Sequence, residues 1–430
     1  MTTLNEPLHL SNGAPLPNRI AKAAMEELLA VPGQLPGDEL LTLYRRWAAG
    51  GAGLLITGHV MIDGRAVAQP GDVVLEQDTP LEPFQRWAAA GKSAGGRIWM
   101  QINHPGRVIP KDLAGTTWAP SAVPIDAGGF SSMYPTPQPM TAQQIDETVE
   151  RFAVTAQRAQ QAGFDGVEIH AAHGYLLSQF LSPLVNRRDD RWGGSLHNRA
   201  RLLLDVMVAV RERVGTGFAV GVKLNSADFQ RGGFDTDDAR DVIKMLADVG
   251  ADLVELSGGS IESLATAGFP ADGRTLAREA YFLELAERLV ATSPVPLLLT
   301  GGIRRRAVAQ QVIDSGVAMV GLATALAIDP TLPGQWLAGG DAQARPPRTR
   351  FRNKTLAAAA VQAVTSRQLA RLGAGKPSKT PYSPAVALLL ERLVRARSRR
   401  AYVNLSRRAS GRRGSAASCS RSRSGRTSEW

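Results

Sequence analysis

The chain has 430 residues, 44% of them hydrophobic, with a formal net charge of +11. That suffices for one large or two medium globular domains with a sizeable core. No apolar run of ~18 residues marks a membrane helix. The start MTTLNEPLHL lacks a basic-then-apolar leader. The single cysteine, Cys419, excludes an internal disulfide and the usual four-thiolate iron–sulfur site, so a cytoplasmic protein is expected. The positive charge is local. From Glu391 to Trp430 there are 12 arginines, no lysine and 2 acids, a net of +10, which leaves +1 on the first 390 residues. The body is nearly neutral and the basicity is a tail.

Along the chain a short aliphatic run recurs, followed by a loop and a longer amphipathic stretch. The short runs are NRIAKAAM (18–25), AGLLITGH (52–59), RIWMQINH (97–104), DGVEIH (165–170), FAVGVKLN (218–225), DLVELSG (252–258), VPLLLTGG (295–302) and VAMVGLA (317–323). Helices are expected between them at 36–51, at 141–163 with Thr141 as N-cap and Gly163 at the C-terminal end, and at 235–250. Several of the short runs are continuously apolar, as parallel strands buried on both faces require. Eight strand–helix units over roughly 330 residues predict a (β/α)8 TIM barrel. The alternative, a doubly wound open sheet, normally carries G-x-G-x-x-G after its first strand, and none is found there. Residues 105–140, rich in Pro, Gly and Ser, form a long insertion after the third strand, expected to lie over the barrel mouth as a lid or substrate-binding loop.

The domain plan is then a barrel over residues 1–345, a helical C-terminal extension over 346–398 and an unstructured Arg/Ser-rich tail over 399–430. The tail has too little apolar content to fold. It reads as a functionally silent extension or a reading-frame artefact in preference to a nucleic-acid arm, because it lacks interleaved aromatic residues for base stacking.

In a TIM barrel the C-terminal strand ends build the active site. Here they carry Ala24, Met25 and Glu26 from strand one, Gly58 and His59 from two, Gln101, Asn103 and His104 from three, and His170, His173 and Tyr175 from four. Lys223 and Asn225 follow from strand five, Ser257 and Gly258 from six, Gly301 and Gly302 from seven, Ala323 and Thr324 from eight. The glycines after strand seven and the residues after strand eight fall where such barrels hold a phosphate on backbone N–H groups. In HAAHGYLLSQF (170–180), two histidines three apart and a tyrosine admit three readings: a metal site with Glu168 as the near third ligand, packing, or donors to a ligand oxygen. Lys223 within an apolar strand needs a partner or a function. His59 and His104 are read as structural or as supports for the site, Arg191 and Trp192 as stabilisers of the loop after strand four, and Asp189 and Asp190 as loop ion-pair partners.

The stretches NRIAKAAM, QINHPGR, HAAHGYLLSQFLSPLVNRRDDRWGGSLHNRARLLLDV, VGVKLNSADF and TGGIR resemble the old yellow enzyme family of NADH:flavin oxidoreductases. The resemblance covers roughly residues 5–345, and the strand-four string is highly specific. It implies a barrel with non-covalent FMN and with NADH or NADPH as reductant in a ping-pong reduction of activated C=C bonds. Ala24, Met25 and Gly58 would line the flavin ring. Gln101 would bond its pyrimidine and Lys223 would stand by N1 and O2. Gly301, Gly302, Ala323 and Thr324 would cradle the phosphate. His170 and His173 would hold the substrate oxygen, which selects among the three readings above, and Tyr175 would protonate the α-carbon.

Two positions depart from the family pattern. Glu26 stands where Thr or Cys commonly tunes the flavin, so it is expected either to hold a proton or to face another partner. Near Thr324 the usual phosphate-binding arginine is missing, and Arg304 or Arg305 is the expected substitute. These departures keep open a barrel that binds FMN or phosphate with lost or altered redox activity. Larger relatives that reduce dienoyl-CoA carry a cysteine-ligated cluster and a second nucleotide-binding domain, for which this sequence offers neither cysteines nor length. The expected partners are a small activated alkene and a nicotinamide nucleotide, with no membrane, nucleic acid disfavoured because only the tail is basic, and the chain able to pair with itself.

Overall fold

The computed structural model describes residues 2–423 except 14, 114, 264–278, 346, 348, 350, 352, 380 and 381, with side chains to residue 404 apart from 354 and 355. Eight parallel strands close on themselves: β1 (Ile20–Lys22), β2 (Leu54–Ile56), β3 (Arg97–Asn103), β4 (Gly166–Ala171), β5 (Ala219–Asn225), β6 (Leu253–Ser257), β7 (Leu297–Leu299) and β8 (Met319–Leu322). Each pairs with the next, and β8 pairs with β1 through Val320↔Ile20 and Gly321↔Ala21. The predicted (β/α)8 barrel is therefore formed, with every expected strand run in place. Outside it lie α1 (Asp38–Ala49), α2 (Glu82–Gly91), α3 (Ala142–Gln161), α4 (Leu196–Val214), α5 (Thr236–Asp248), α6 (Leu283–Val290) and α7 (Arg306–Asp314).

Local chemistry sets these boundaries. Thr141 accepts from the Gln144 N–H while the Gln144 side chain accepts from the Thr141 N–H, a capping box that starts α3. Asp235 accepts from the N–H groups of Asp237 and Asp238 at the start of α5.

Two layers of apolar packing hold the barrel. The outer one lies between strands and helices. The inner one gathers Ala21, Leu54, Trp99, Leu253, Leu298 and Met319, and is closed from below by Leu8, Leu10 and Leu16 of an N-terminal hairpin, Leu8–His9 with Pro15–Leu16. The hairpin shuts the end opposite the site. Gly166 and Gly221 make room for the central indole, since a Cβ at either would lie 2.7 Å from Trp99.

The insertion after β3 is anchored by arginines. Arg107, 1% exposed, donates to the carbonyls of Val123 and Pro124 and pairs with Glu262 at 2.9 Å. Arg188 donates to the carbonyls of Pro120 and Met140 and pairs with Asp190. Arg191 stacks over Trp192, 4.1 Å from the ring centre, so this loop is stabilised as the sequence suggested.

Beyond the barrel run α8 (Lys354–Gly373) and α9 (Pro384–Arg423). Both expected helical stretches exist and pack on the barrel. Arg46 of α1 donates to the carbonyls of Gly375 and Lys376. Arg395 of α9 reaches Asp112 at 3.2 Å. α9 runs past residue 399, where the tail was expected to begin, to Arg423. Arg and Ala are good helix formers, and Tyr402, 2% exposed, packs with Met61, Ala66 and Val67 and donates to the Gly64 carbonyl at 3.0 Å. Residues 424–430 of the expected tail lie outside the described residues. Among the described residues no helix is long and apolar enough to cross a membrane.

Candidate active site

A cavity of about 950 Å³ opens at the C-terminal strand ends, a volume suited to a cofactor-sized ligand. Ala24, Met25, Glu26, His173, Tyr175, Lys223, Gly301, Gly302, Ala323 and Thr324 border it, so most of the expected site residues are brought together. Gly58, Gln101 and His170 do not border it. Phe130, Met133 and Tyr134 of the insertion overhang it, as expected of a lid. Ala358, Gln362, Thr365 and Leu369 of α8 form a wall that the sequence reading missed. The repeated small residues of α8 suited close packing but did not say against what.

The turn after β4 aims the aromatic cluster. His173 has φ +63° and Gly174 +77°, two successive left-handed residues. For a histidine this conformation costs ~1–2 kcal/mol, and it is locked by the His173 N–H donating to Asn225 Oδ1 at 3.1 Å. The ring centroids of His170 and His173 lie 5.1 Å apart, and those of His170 and Tyr175 5.0 Å apart. Burial above all keeps both histidines neutral well below the usual imidazole range, reinforced by Lys223 and His59. The His170 Nδ1 accepts from the Ala172 N–H, so its ring proton sits on Nε2. His173 Nε2 meets Ser257 Oγ at 2.7 Å. Glu168 is bonded to Gln101, and among the described residues no three His, Cys, Asp or Glu side chains gather as a metal site.

Below the cavity is a closed polar layer. Lys223 pairs with Glu255, and Gln101 donates to Glu168 at 2.6 Å from a neighbouring strand. Burial and the Glu255 charge push Glu168 well above the ordinary carboxyl range, so it holds its proton. Gln101 thus commits one of its two amide N–H donors inside this layer.

The loop after β1 separates two adjacent glutamates. Glu27 accepts from Lys22 at 3.1 Å, from the Tyr44 hydroxyl at 2.6 Å and from the Gly58 N–H at 3.1 Å. Gly58 is therefore a support behind the loop, and a Cβ there would strike Glu27 and the Met25 carbonyl. Glu26 turns toward the cavity, where the Tyr175 hydroxyl donates to its Oε1 at 2.8 Å. His59 lies beside it, its Nε2 3.6 Å from Glu26 Oε1 and 3.5 Å from Asp72 Oδ1. Burial opposes a charge on His59, but Asp72, Glu26 and Glu27 together raise its pKa above the ordinary value. His59 thus belongs with the site, whereas His104, its pKa lowered to about 4 chiefly by burial, stacks on Trp118.

At the far end, Gly301 (φ +125°) and Gly302 (φ +72°) leave a side-chain-free cradle. A Cβ on Gly302 would lie 2.4 Å from the Tyr281 ring. Arg304 borders this end of the cavity but is paired with buried Glu279 at 3.1 Å, and Arg305 pairs with the same carboxylate at 2.7 Å. Both expected substitutes for the missing arginine are engaged there.

Residues 3–339 match the family model described as the NADH:flavin oxidoreductase / NADH oxidase family. The chain belongs to this family. It is a flavin oxidoreductase with FMN as cofactor and NADH or NADPH as reductant. It is 36% identical to the NADH-dependent flavin oxidoreductase iliE of Hypocrea jecorina over 76% of this chain and 87% of that one. The protein of the same name from Neonectria is also 36% identical, but the 76% of this chain that aligns spans only 46% of its length. The solved old yellow enzyme homologue from Zymomonas mobilis superposes with a TM-score of 0.69 at 25% identity, covering 80% of this chain and 94% of that one. The cavity suits the cofactor: volume, glycine cradle and Lys223 match a flavin nucleotide with a phosphate at one end. Ala24, Met25, Lys223, Gly301, Gly302, Ala323 and Thr324 are the residues that would hold it.

Proposed function

We propose that this chain uses NAD(P)H to reduce activated C=C bonds, such as those of enones, with Tyr175 as proton donor. The observation that carries the reading is the clustering of three rings: His173 and Tyr175 border the flavin-sized cavity, and His170 packs edge-on against both. FMN, when bound, supplies the hydride. Two neutral imidazoles can donate N–H bonds to a substrate carbonyl and stabilise the charge that grows on it. Tyr175 holds its proton firmly, because burial and the neighbouring Glu26 raise its pKa well above the usual phenol range. It therefore suits delivery of a proton to carbon only once charge has developed there. Gln101 and Gly58 act in this reading from beneath and behind the cofactor.

A second reading, an FMN- or phosphate-binding barrel with lost or altered redox activity, draws on the engagement of Arg304 and Arg305 by Glu279. One absorption experiment separates the two. The purified protein should show a visible flavin band that bleaches anaerobically with NADH or NADPH and returns on adding an enone. A flavin band that neither nucleotide bleaches would favour the binding barrel.

A further inference from the structure

We propose that Glu26 supplies the cavity's proton: its carboxyl passes a proton to the Tyr175 phenol as that phenol protonates the substrate, so that no tyrosinate is left behind. The proposal rests on the alkene-reduction reading and adds a residue which that reading does not use.

The geometry is specific. The Tyr175 and Glu26 oxygens are 2.8 Å apart, a distance at which either can be the donor. With Glu26 ionised, the phenol hydrogen is tied to the carboxylate and turned from the substrate. Releasing it would set a tyrosinate against a carboxylate, two like charges in a buried site. With Glu26 protonated, its hydroxyl donates to the phenol oxygen and frees the phenol hydrogen to face the cavity. Glu27, one residue on, has its own buried lysine. Among the described residues, the basic group paired with Glu26 is His59, at 3.6 Å and shared with Asp72.

The titratable groups facing Glu26 are His59 from the end of β2, Asp72 from the following loop, Glu27 from its own loop, Tyr175 after β4 and Tyr134 from the lid. Burial raises the Glu26 pKa most. His59 and the Tyr175 hydrogen bond lower it, Asp72 and Glu27 raise it again, and the balance lies above the ordinary value.

The step balances. Reduced FMN, when bound, would supply the hydride pair for the new bond at the β-carbon. The α-carbon takes the Tyr175 proton, and the phenol oxygen takes the Glu26 proton. Glu26 ends as a carboxylate. It is 26% exposed and borders the cavity, so solvent can reprotonate it once product has left.

The test compares the holoenzyme with Glu26→Gln, which keeps the shape and an N–H donor but has no proton to transfer. The NADH-reduced forms are reoxidised with 2-cyclohexenone across a pH series, and protonated-carboxyl infrared bands are recorded on the full-length proteins. Wild-type reoxidation should fall about tenfold per pH unit above the Glu26 titration. In Glu26→Gln it should be at least about tenfold slower below that titration and flat through that range. A protonated-carboxyl band titrating at the same pH should vanish in the variant. An unchanged pH profile in Glu26→Gln, or no lost band, would overturn the proposal. If the wild type is not reoxidised by the enone at any pH, the alkene-reduction reading fails, and the infrared comparison alone then decides whether Glu26 holds the proton.

Discussion

Glu26 and Glu27 are consecutive carboxylates in opposite settings. Glu27 is enclosed by Lys22, Tyr44 and the Gly58 N–H, with Lys22 itself fully buried and lying 4.5 Å from the centre of the Trp47 ring. Its charge is answered by a dedicated cation, and the group behaves as a fixed strut between β1, β2 and α1. Glu26 shares His59 with Asp72, and it has a phenol at 2.8 Å and an open side on the cavity. A buried charge with a dedicated cation stabilises geometry, whereas one whose basic neighbour is shared and which has solvent access can change its protonation state.

The largest effect should come from breaking the strut. Lys22→Met leaves Glu27 buried without a cation and is expected to cost about 3–5 kcal/mol in denaturant unfolding, with loss of bound flavin because the Met25–Glu26 loop loses its support. Stability unchanged within error would refute the strut.

On the cavity side, Tyr175→Phe should slow reoxidation by enones by about a hundredfold or more relative to flavin reduction by NAD(P)H. Equal losses in both half-reactions would remove Tyr175 from the proton step.

The paired substitution His170→Ala with His173→Ala should weaken phenol binding by about tenfold or more, in keeping with the loss of charge-assisted hydrogen bonds. Spectral titration measures this, and an unchanged affinity contradicts the oxygen-anchor role.

A pH experiment sharpens the contrast between the glutamates. A folded-state pKa above the unfolded value means that the native state binds the proton more tightly. Glu26 therefore costs nothing below the ordinary carboxyl pKa, and its penalty grows as pH rises to the folded value. Glu26→Gln should match wild type in acid and be the more stable protein once the pH passes the folded-state titration of Glu26, as read by melting temperature. The opposite trend would show that Glu26 is stabilised as an anion.

The smallest effect is expected in the extension. Tyr402→Phe removes one hydrogen bond to the Gly64 carbonyl, worth about 1 kcal/mol. A larger loss would mean that α9 helps hold the adjoining loop.

The barrel was legible in the sequence because its parallel strands are buried on both faces and its helices carry local start signals, such as Thr141 and Asp235. These are near-neighbour effects that survive in a linear string. His173, Tyr175 and Lys223 were legible too, because each lies at a strand end and the fold sends all strand ends to one rim. Other features were not. Glu26 could be marked as unusual, but its partner is 149 residues away in sequence, and only closure of the barrel sets the two oxygens 2.8 Å apart. Arg304 looked free in sequence, whereas folding gives its charge to Glu279. Composition gave no sign that Tyr402 buries itself against a loop more than 300 residues earlier in the chain. Sequence by itself determined the periodicity, the caps and thus the architecture. Tertiary structure decided which charges are neutralised and which stay available, because pairing depends on distance and solvent access rather than on order along the chain.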